Sequence, residues 1–242
     1  MNLKNYSFNT KEDFIEYLRH LIIVSVNSIK SYEIQLHSLD KFIQKEGLID
    51  NPKATVEADI YEEYKAMLSY SSSYLLNIIG DQAEFGTSYQ NYRKNVEKKS
   101  KELQIDYCEI SEEEKAELNR VTTARDWSSH IPASLIHSTK RNVIKEKEIR
   151  YLIDIPDFQY YEAEWIISLF DQNNRRLDCF KKILELMKND YTAVTKSPCN
   201  IVQFKVPVRT ISDLIIPKIS WDIQSKKIKT RDEIKNEYLK GK

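Results

Sequence analysis

From position 15 to position 43, every seventh residue is isoleucine or leucine: Ile15, Ile22, Ile29, Leu36 and Ile43. Leu18, Ser25, Tyr32 and Leu39 fall between them at spacings of three and four. Such a repeat draws one continuous apolar seam along a helix, and other helices must cover it. Thr10 with Asp13 caps the start, and Gly47 caps the end. The helix therefore runs about nine turns, to Glu46. Ser25 and Ser28 leave room for close approach of a neighbour. The seam predicts an all-α chain, an antiparallel up-and-down bundle of four to five long helices. The scarcity of turn formers agrees: 4 Gly and 6 Pro in 242 residues suit long helices better than a sandwich or barrel.

The partner helices can be read in order. Val56–Ile79 carries Ile60, Tyr64, Met67, Ser71, Tyr74 and Ile78 on one stripe, and the small polar run Ser69–Tyr74 reads as close packing against a large neighbour. A third helix, Tyr89–Leu103, buries Tyr89, Tyr92, Val96 and Leu103. Its other side holds Arg93, Lys94, Lys98, Lys99 and Lys101, read as a solvated face with a phosphate-contacting surface as the lesser alternative. Ser111 and Glu114 form a capping-box pattern that opens a fourth helix through Leu118, Val121 and Arg125. Pro132 disfavours helix at Ile131, so that helix ends or kinks at about His130.

The fifth helix, Asp157–Asn189, buries Phe158, Tyr161, Trp165, Leu169, Leu177, Phe180, Leu184 and Met187. The polar run Asp171–Arg176 interrupts it, as either an exposed bend or a polar site that the helix lines. Beyond Pro198, Val202, Phe204, Val206 and Val208 alternate with other residues, as do Ile219, Trp221 and Ile223. The expected organisation is a bundle over 1–195 and, over 196–242, a small irregular C-terminal extension with a strand-like ribbon and a short helix capped by Thr230.

Several function classes lack support. Lys+Arg and Asp+Glu number 37 each, so no global charge draws the chain to nucleic acid or an anionic membrane. Cys108, Cys179 and Cys199 are odd in number and widely spaced, forming neither a disulfide framework nor a metal-ligand set. No HExxH, CxxC, Glu-x-x-His pair or glycine-rich phosphate loop occurs. We expect no cofactor, no metal and no membrane span. The opening residues have no apolar signal core, and a cytoplasmic location is expected.

One hexapeptide concentrates reactive groups: Arg125-Asp126-Trp127-Ser128-Ser129-His130. Arginine is a permanent cation that binds phosphate in bidentate fashion. Histidine exchanges a proton near neutral pH. Together they suit cleavage of a phosphodiester by its own neighbouring 2′-hydroxyl: a base takes the proton, a cation stabilises the phosphorane and an acid protonates the leaving oxygen. Five residues of straight helix turn through about 500°, which points Arg125 and His130 roughly 140° apart. They converge only if the helix tightens, bulges or ends between them, or if a second copy of the chain supplies the facing group. Downstream, Lys140, Arg141 and Lys145 begin the most basic local stretch and are candidate RNA or phosphate contacts. The bland alternative is an Arg125 salt bridge to Glu114, Glu117 or a neighbouring helix, with His130 capping the helix end. His137 is a possible second imidazole, though more simply a surface residue; His20 and His37 read as structural or exposed.

The pattern of arginine, a polar residue and then a histidine resembles the signature of HEPN (higher eukaryotes and prokaryotes nucleotide-binding) domains. The resemblance covers about residues 10–190. It implies a helical bundle, a homodimer with facing motifs, and in many members a metal-independent endoribonuclease of toxin, phage-defence or RNA-processing type. Arg125 would then bind or polarise the scissile phosphate, His130 would act as general acid and base, and Asp126 would orient one of them. Other members bind nucleotides or have lost activity. A cognate antitoxin or other partner protein, and an inactive nucleotide-binding or protein-interaction scaffold, are the matching alternatives.

Overall fold

Helix α1, Lys11–Lys45, buries the seam as the sequence predicts: Leu18, Ile22, Ser25, Ile29, Tyr32, Leu36, Leu39 and Ile43 are all inside, with Ile15 half-buried at the first turn. The Thr10 hydroxyl accepts from the Asp13 N–H at 3.3 Å, and the Asp13 carboxylate accepts from the Thr10 N–H at 2.8 Å. At the other end Gly47 takes a φ of +61°, a conformation glycine adopts without strain. The computed structural model describes residues 6–83, 86–129 and 158–203, and, for 127–129, the backbone alone.

Within that range follow β1 (Thr55–Glu57), α2 (Ala58–Gly80), α3 (Tyr89–Leu103), α4 (Glu112–Ser129), β2 (Tyr160–Glu162) and α5 (Ala163–Thr195). Pair contacts give the directions. The Ser25 hydroxyl reaches Met187 Sδ and the Tyr32 hydroxyl reaches Asn173, so α5 runs antiparallel to α1. Tyr64 lies against Ser38 while Ile78 shares a cavity wall with Leu21, so α2 also opposes α1. Tyr17 bonds Ser88 at the start of α3, and Lys99 further along bonds the Phe8 carbonyl. Helix α3 thus continues the direction of α2 past the start of α1. Helix α4 returns, with Gly80 against Thr122 and Asn77 against Arg125. The described chain is an all-α up-down-up-down bundle whose second leg is split into α2 and α3.

The described β structure is one small antiparallel ribbon, Thr55↔Glu162 to Glu57↔Tyr160. It moves two helix starts: α2 begins at Ala58 rather than Val56, and α5 at Ala163 rather than Asp157. Val56 is buried as a strand residue, and the Ala163 and Glu164 N–H groups bond the Ala54 and Pro52 carbonyls, tying the start of α5 to the approach to β1. The ribbon forms where two β-favouring runs, Thr55-Val56 and Tyr160-Tyr161, meet across the bundle. The expected ribbon and short helix beyond Pro198 fall mostly at 204–242, outside the described residues.

Two buried faces differ in part from the sequence expectation. On α2 the buried side chains are Tyr61, Leu68, Ser72, Leu75, Leu76, Ile78 and Ile79: Ile78 is inside as predicted, most of the others lie one residue on from a predicted position, and Tyr74 is exposed. The two stripes are adjacent on a helical wheel, and the wide apolar arc made the rotation ambiguous. On α5, Leu177, Phe180 and Met187 are buried as predicted and Ile166, Ile183 and Leu186 join them, while Trp165, and Phe158 ahead of the helix, are each 56% exposed. The polar run Asp171–Arg176 is a continuous helix rather than a bend. Its Asn173 points inward, accepting from the Tyr32 hydroxyl and donating to the Leu169 carbonyl at 2.7 Å. Arg176 donates to the Ser72 hydroxyl at 3.4 Å, so the small residue in the serine run of α2 accommodates a large neighbour as expected.

Candidate functional site

Arg125 lies one turn before the last described residue of α4. Its position follows from the α2–α4 contact. A Cβ at Gly80 would stand 2.9 Å from Thr122 Cα, so the two helix backbones meet there with no side chain between them. One turn further along α4, the guanidinium of Arg125 meets the C-terminus of α2. Its Nη2 pairs with the Asp81 carboxylate at 3.0 Å, its Nε–H donates to Asn77 Oδ1 at 3.2 Å, and its Nη1 donates to Asp126 Oδ1 at 3.0 Å. A cation at a helix C-terminus also answers the negative end of the helix dipole. Asp81 is fixed in turn: its N–H bonds the Asn77 carbonyl at 3.1 Å, and its Oδ1 accepts from the Ala83 N–H at 3.0 Å.

The Arg125 side chain is 18% exposed, and what it exposes borders an open cavity of about 530 Å³. Leu21 and Ile78 form an apolar floor, and Asn77, Asp81 and Arg125 a polar wall. His20 and Tyr74, both exposed, also line the cavity. The volume is in the range of small-molecule sites, and the lining is a mixture of apolar and polar side chains.

Of the predicted site residues, Arg125 and Asp126 are therefore brought together. His130, Lys140, Arg141 and Lys145 lie outside the described residues, as does His137. Helix α4 stays α-helical from Arg125 through Ser129, so the chain neither tightens nor bulges there. The alternative of an Arg125 ion pair to a neighbouring helix holds in part: Asp81 follows the end of α2, whereas Glu114 pairs with Ser111 in the capping box and Glu117 with Arg120. Of the two histidines read as structural or exposed, both are exposed, and His20 lines the cavity of Arg125.

A second polar centre escaped the sequence reading. Arg93, expected on the solvated face of α3, is 4% exposed and pairs with the fully buried Asp190 of α5 at 2.9 Å. Asp190 also accepts from the Tyr89 hydroxyl at 2.8 Å and the Cys108 N–H at 2.9 Å. The signal was present: Asp190 continues the stripe Phe180, Ile183, Met187 and Val194, and Arg93 adjoins Tyr89, Tyr92 and Val96. The pair ties α3 to α5.

All three thiols hold their protons more tightly than an ordinary cysteine. Burial, reinforced by the Glu117 carboxylate, pushes the Cys179 thiol up to about 12; burial and Asp190 raise Cys108, and burial raises Cys199. Among the described residues no group of three or more His, Cys, Asp and Glu side chains is placed to hold a metal ion, and no helix is long and apolar enough to cross a membrane. No family model, no curated protein and no solved structure matches the chain.

Proposed function

We propose that the chain acts on RNA as a HEPN-like, metal-independent endoribonuclease, with Arg125 as the phosphate-binding cation. The observation that carries the reading is the guanidinium of Arg125, oriented by Asp81, Asn77 and Asp126 at the edge of an open cavity near the end of a helix. Orientation in advance is what a transition-state cation requires, because no reorganisation is then left for the reaction step. Asp126 takes the role of orienting Arg125. His130 is the general acid and base, and Lys140, Arg141 and Lys145 hold neighbouring phosphates. Because α4 continues as a regular helix from Arg125 to Ser129, we assign the imidazole that faces Arg125 to a second copy of the chain in a homodimer. The biological setting would be a toxin or phage-defence system with a cognate partner protein, in the cytoplasm.

The chemistry is self-contained. The 2′-hydroxyl of the substrate gives up its proton to one imidazole and attacks the adjacent phosphorus. The P–O bond to the next nucleotide breaks as its 5′-oxygen takes a proton from an imidazolium, and the products carry 2′,3′-cyclic phosphate and 5′-hydroxyl ends. The test is incubation of purified protein with single-stranded RNA in EDTA, followed by analysis of the ends. Cyclic phosphate products that disappear in His130→Ala, with the helical circular dichroism unchanged, support the reading. Cleavage that persists in both Arg125→Ala and His130→Ala overturns the site.

A second reading draws on the same ion pair. Arg125 with Asp81 fastens α4 to the end of α2, which is a structural task, and an inactive nucleotide-binding or protein-interaction scaffold would keep it for that alone. That reading expects intact RNA and a loss of stability in Arg125→Ala.

A further inference from the structure

The interior of the cavity differs in chemistry from its edge, where the guanidinium of Arg125 lies. Arg125 is in contact with two carboxylates, Asp81 and Asp126, at 3.0 Å each, so the local formal charge of the three is negative. The floor, Leu21 and Ile78, is apolar, and the edge offers an acceptor in Asp81 and a donor in the Asn77 amide, whose oxygen is already taken by Arg125. Tyr74, 55% exposed, presents a phenol ring at the rim. An uncharged planar ring with apolar faces and a donor–acceptor edge matches each of these walls. A nucleobase is such a ring.

We propose that this cavity is a pocket for a single nucleobase, with Tyr74 as the stacking ring and Asn77 and Asp81 as the groups that meet the base edge. The proposal rests on the RNA-directed reading above for its ligand class, and it adds where the base lies. Stacking on an aromatic side chain carries much of the affinity of unpaired bases, and edge contacts confer the preference among them. Arg125 lines the same cavity, so a base held here would also bias which phosphodiester the guanidinium meets. Tyr74, Asn77 and Asp81 would be specificity-determining residues, and none of them would exchange a proton with the substrate.

The test is a fluorescence-detected titration of the full chain with each of the four nucleoside 5′-monophosphates and with short single-stranded RNAs of uniform base. Wild type, Tyr74→Phe, Tyr74→Ala and Asn77→Ala are compared, with circular dichroism as the control for folding. Both positions are exposed; Asn77→Ala also removes the acceptor of Arg125 Nε, so the two Tyr74 variants decide the test. The expected result is a preference for one base, an affinity about tenfold lower in Tyr74→Ala, near-wild-type affinity in Tyr74→Phe and a weakened base preference in Asn77→Ala. If free nucleotides show the Tyr74 dependence, the pocket takes mononucleotides; if only RNA shows it, the pocket takes a base of a strand; both support the pocket. Equal affinity and equal base preference in wild type and Tyr74→Ala overturn it, even where RNA is cut in an Arg125-dependent way. Tyr74-dependent nucleotide binding without any RNA cleavage sustains the pocket and overturns the nuclease.

Discussion

Arg93 and Asp190 form an ion pair at 2.9 Å inside the bundle, joining α3 to α5 across 97 residues of sequence. Neither group has appreciable solvent contact, and Asp190 is satisfied from three sides by Arg93, Tyr89 and the Cys108 backbone. A buried pair adds little over apolar packing, but breaking one leaves a charge without a partner. Asp190→Ala should therefore cost about 3–5 kcal/mol in urea unfolding. Arg93→Met combined with Asp190→Leu should recover part of that loss, though not all, because the Tyr89 hydroxyl and the Cys108 N–H still lose their acceptor. A loss under about 1 kcal/mol for Asp190→Ala would mean that the pair is not desolvated.

Gly80 sets the distance between α2 and α4. Alanine there would gain roughly 1 kcal/mol in helix propensity. It would also place a Cβ 2.9 Å from the Thr122 backbone, which cannot rotate away. Overpacking of this kind costs about 1–3 kcal/mol, so the clash should win and Gly80→Ala should destabilise the chain. A rise in melting temperature would show that the helices separate freely.

Buried tyrosines should make the chain sensitive to alkali. Burial pushes the Tyr17 and Tyr32 phenols up to about 12, and burial together with the Asp190 carboxylate raises Tyr89 and Tyr92 as well. Each phenol holds its proton more tightly folded than unfolded. The resulting stability is fully present below the ordinary tyrosine value near 10 and is lost as pH rises through the folded value near 12. The urea midpoint should stay level on this account up to about pH 10 and fall between about pH 10 and 12. Phenolate absorbance that appears at its ordinary pH in the folded protein would contradict it.

Much of the bundle was legible because its strongest signals are local. The Ile15–Ile43 seam, the Thr10 and Ser111 capping boxes and the Gly47 cap depend only on neighbours within a turn or two, and each forms as read. What was missed depends on distant partners. Nothing near Val56 announces that Tyr161 will pair with it, and nothing near Arg93 announces Asp190. For the candidate site, the motif named Arg125 and Asp126. Asp81, Asn77, Tyr74 and His20 lie 44 or more residues earlier in sequence; the first three meet Arg125 where Gly80 lets α2 close on α4, and His20 comes from α1.

The central claim is that Arg125 of one chain works with His130 of another on RNA, and mixing two inactive variants tests it most directly. Arg125→Ala and His130→Ala should each lose about a hundredfold or more in the rate of RNA cleavage in EDTA, the scale of losing a transition-state cation or a general acid and base. Unfolding and refolding the two together should restore cleavage in the mixed dimer, where the intact Arg125 of one chain meets the intact His130 of the other. A mixture as inactive as its components, from wild-type protein that cuts RNA and refolds under the same conditions, would contradict the composite site.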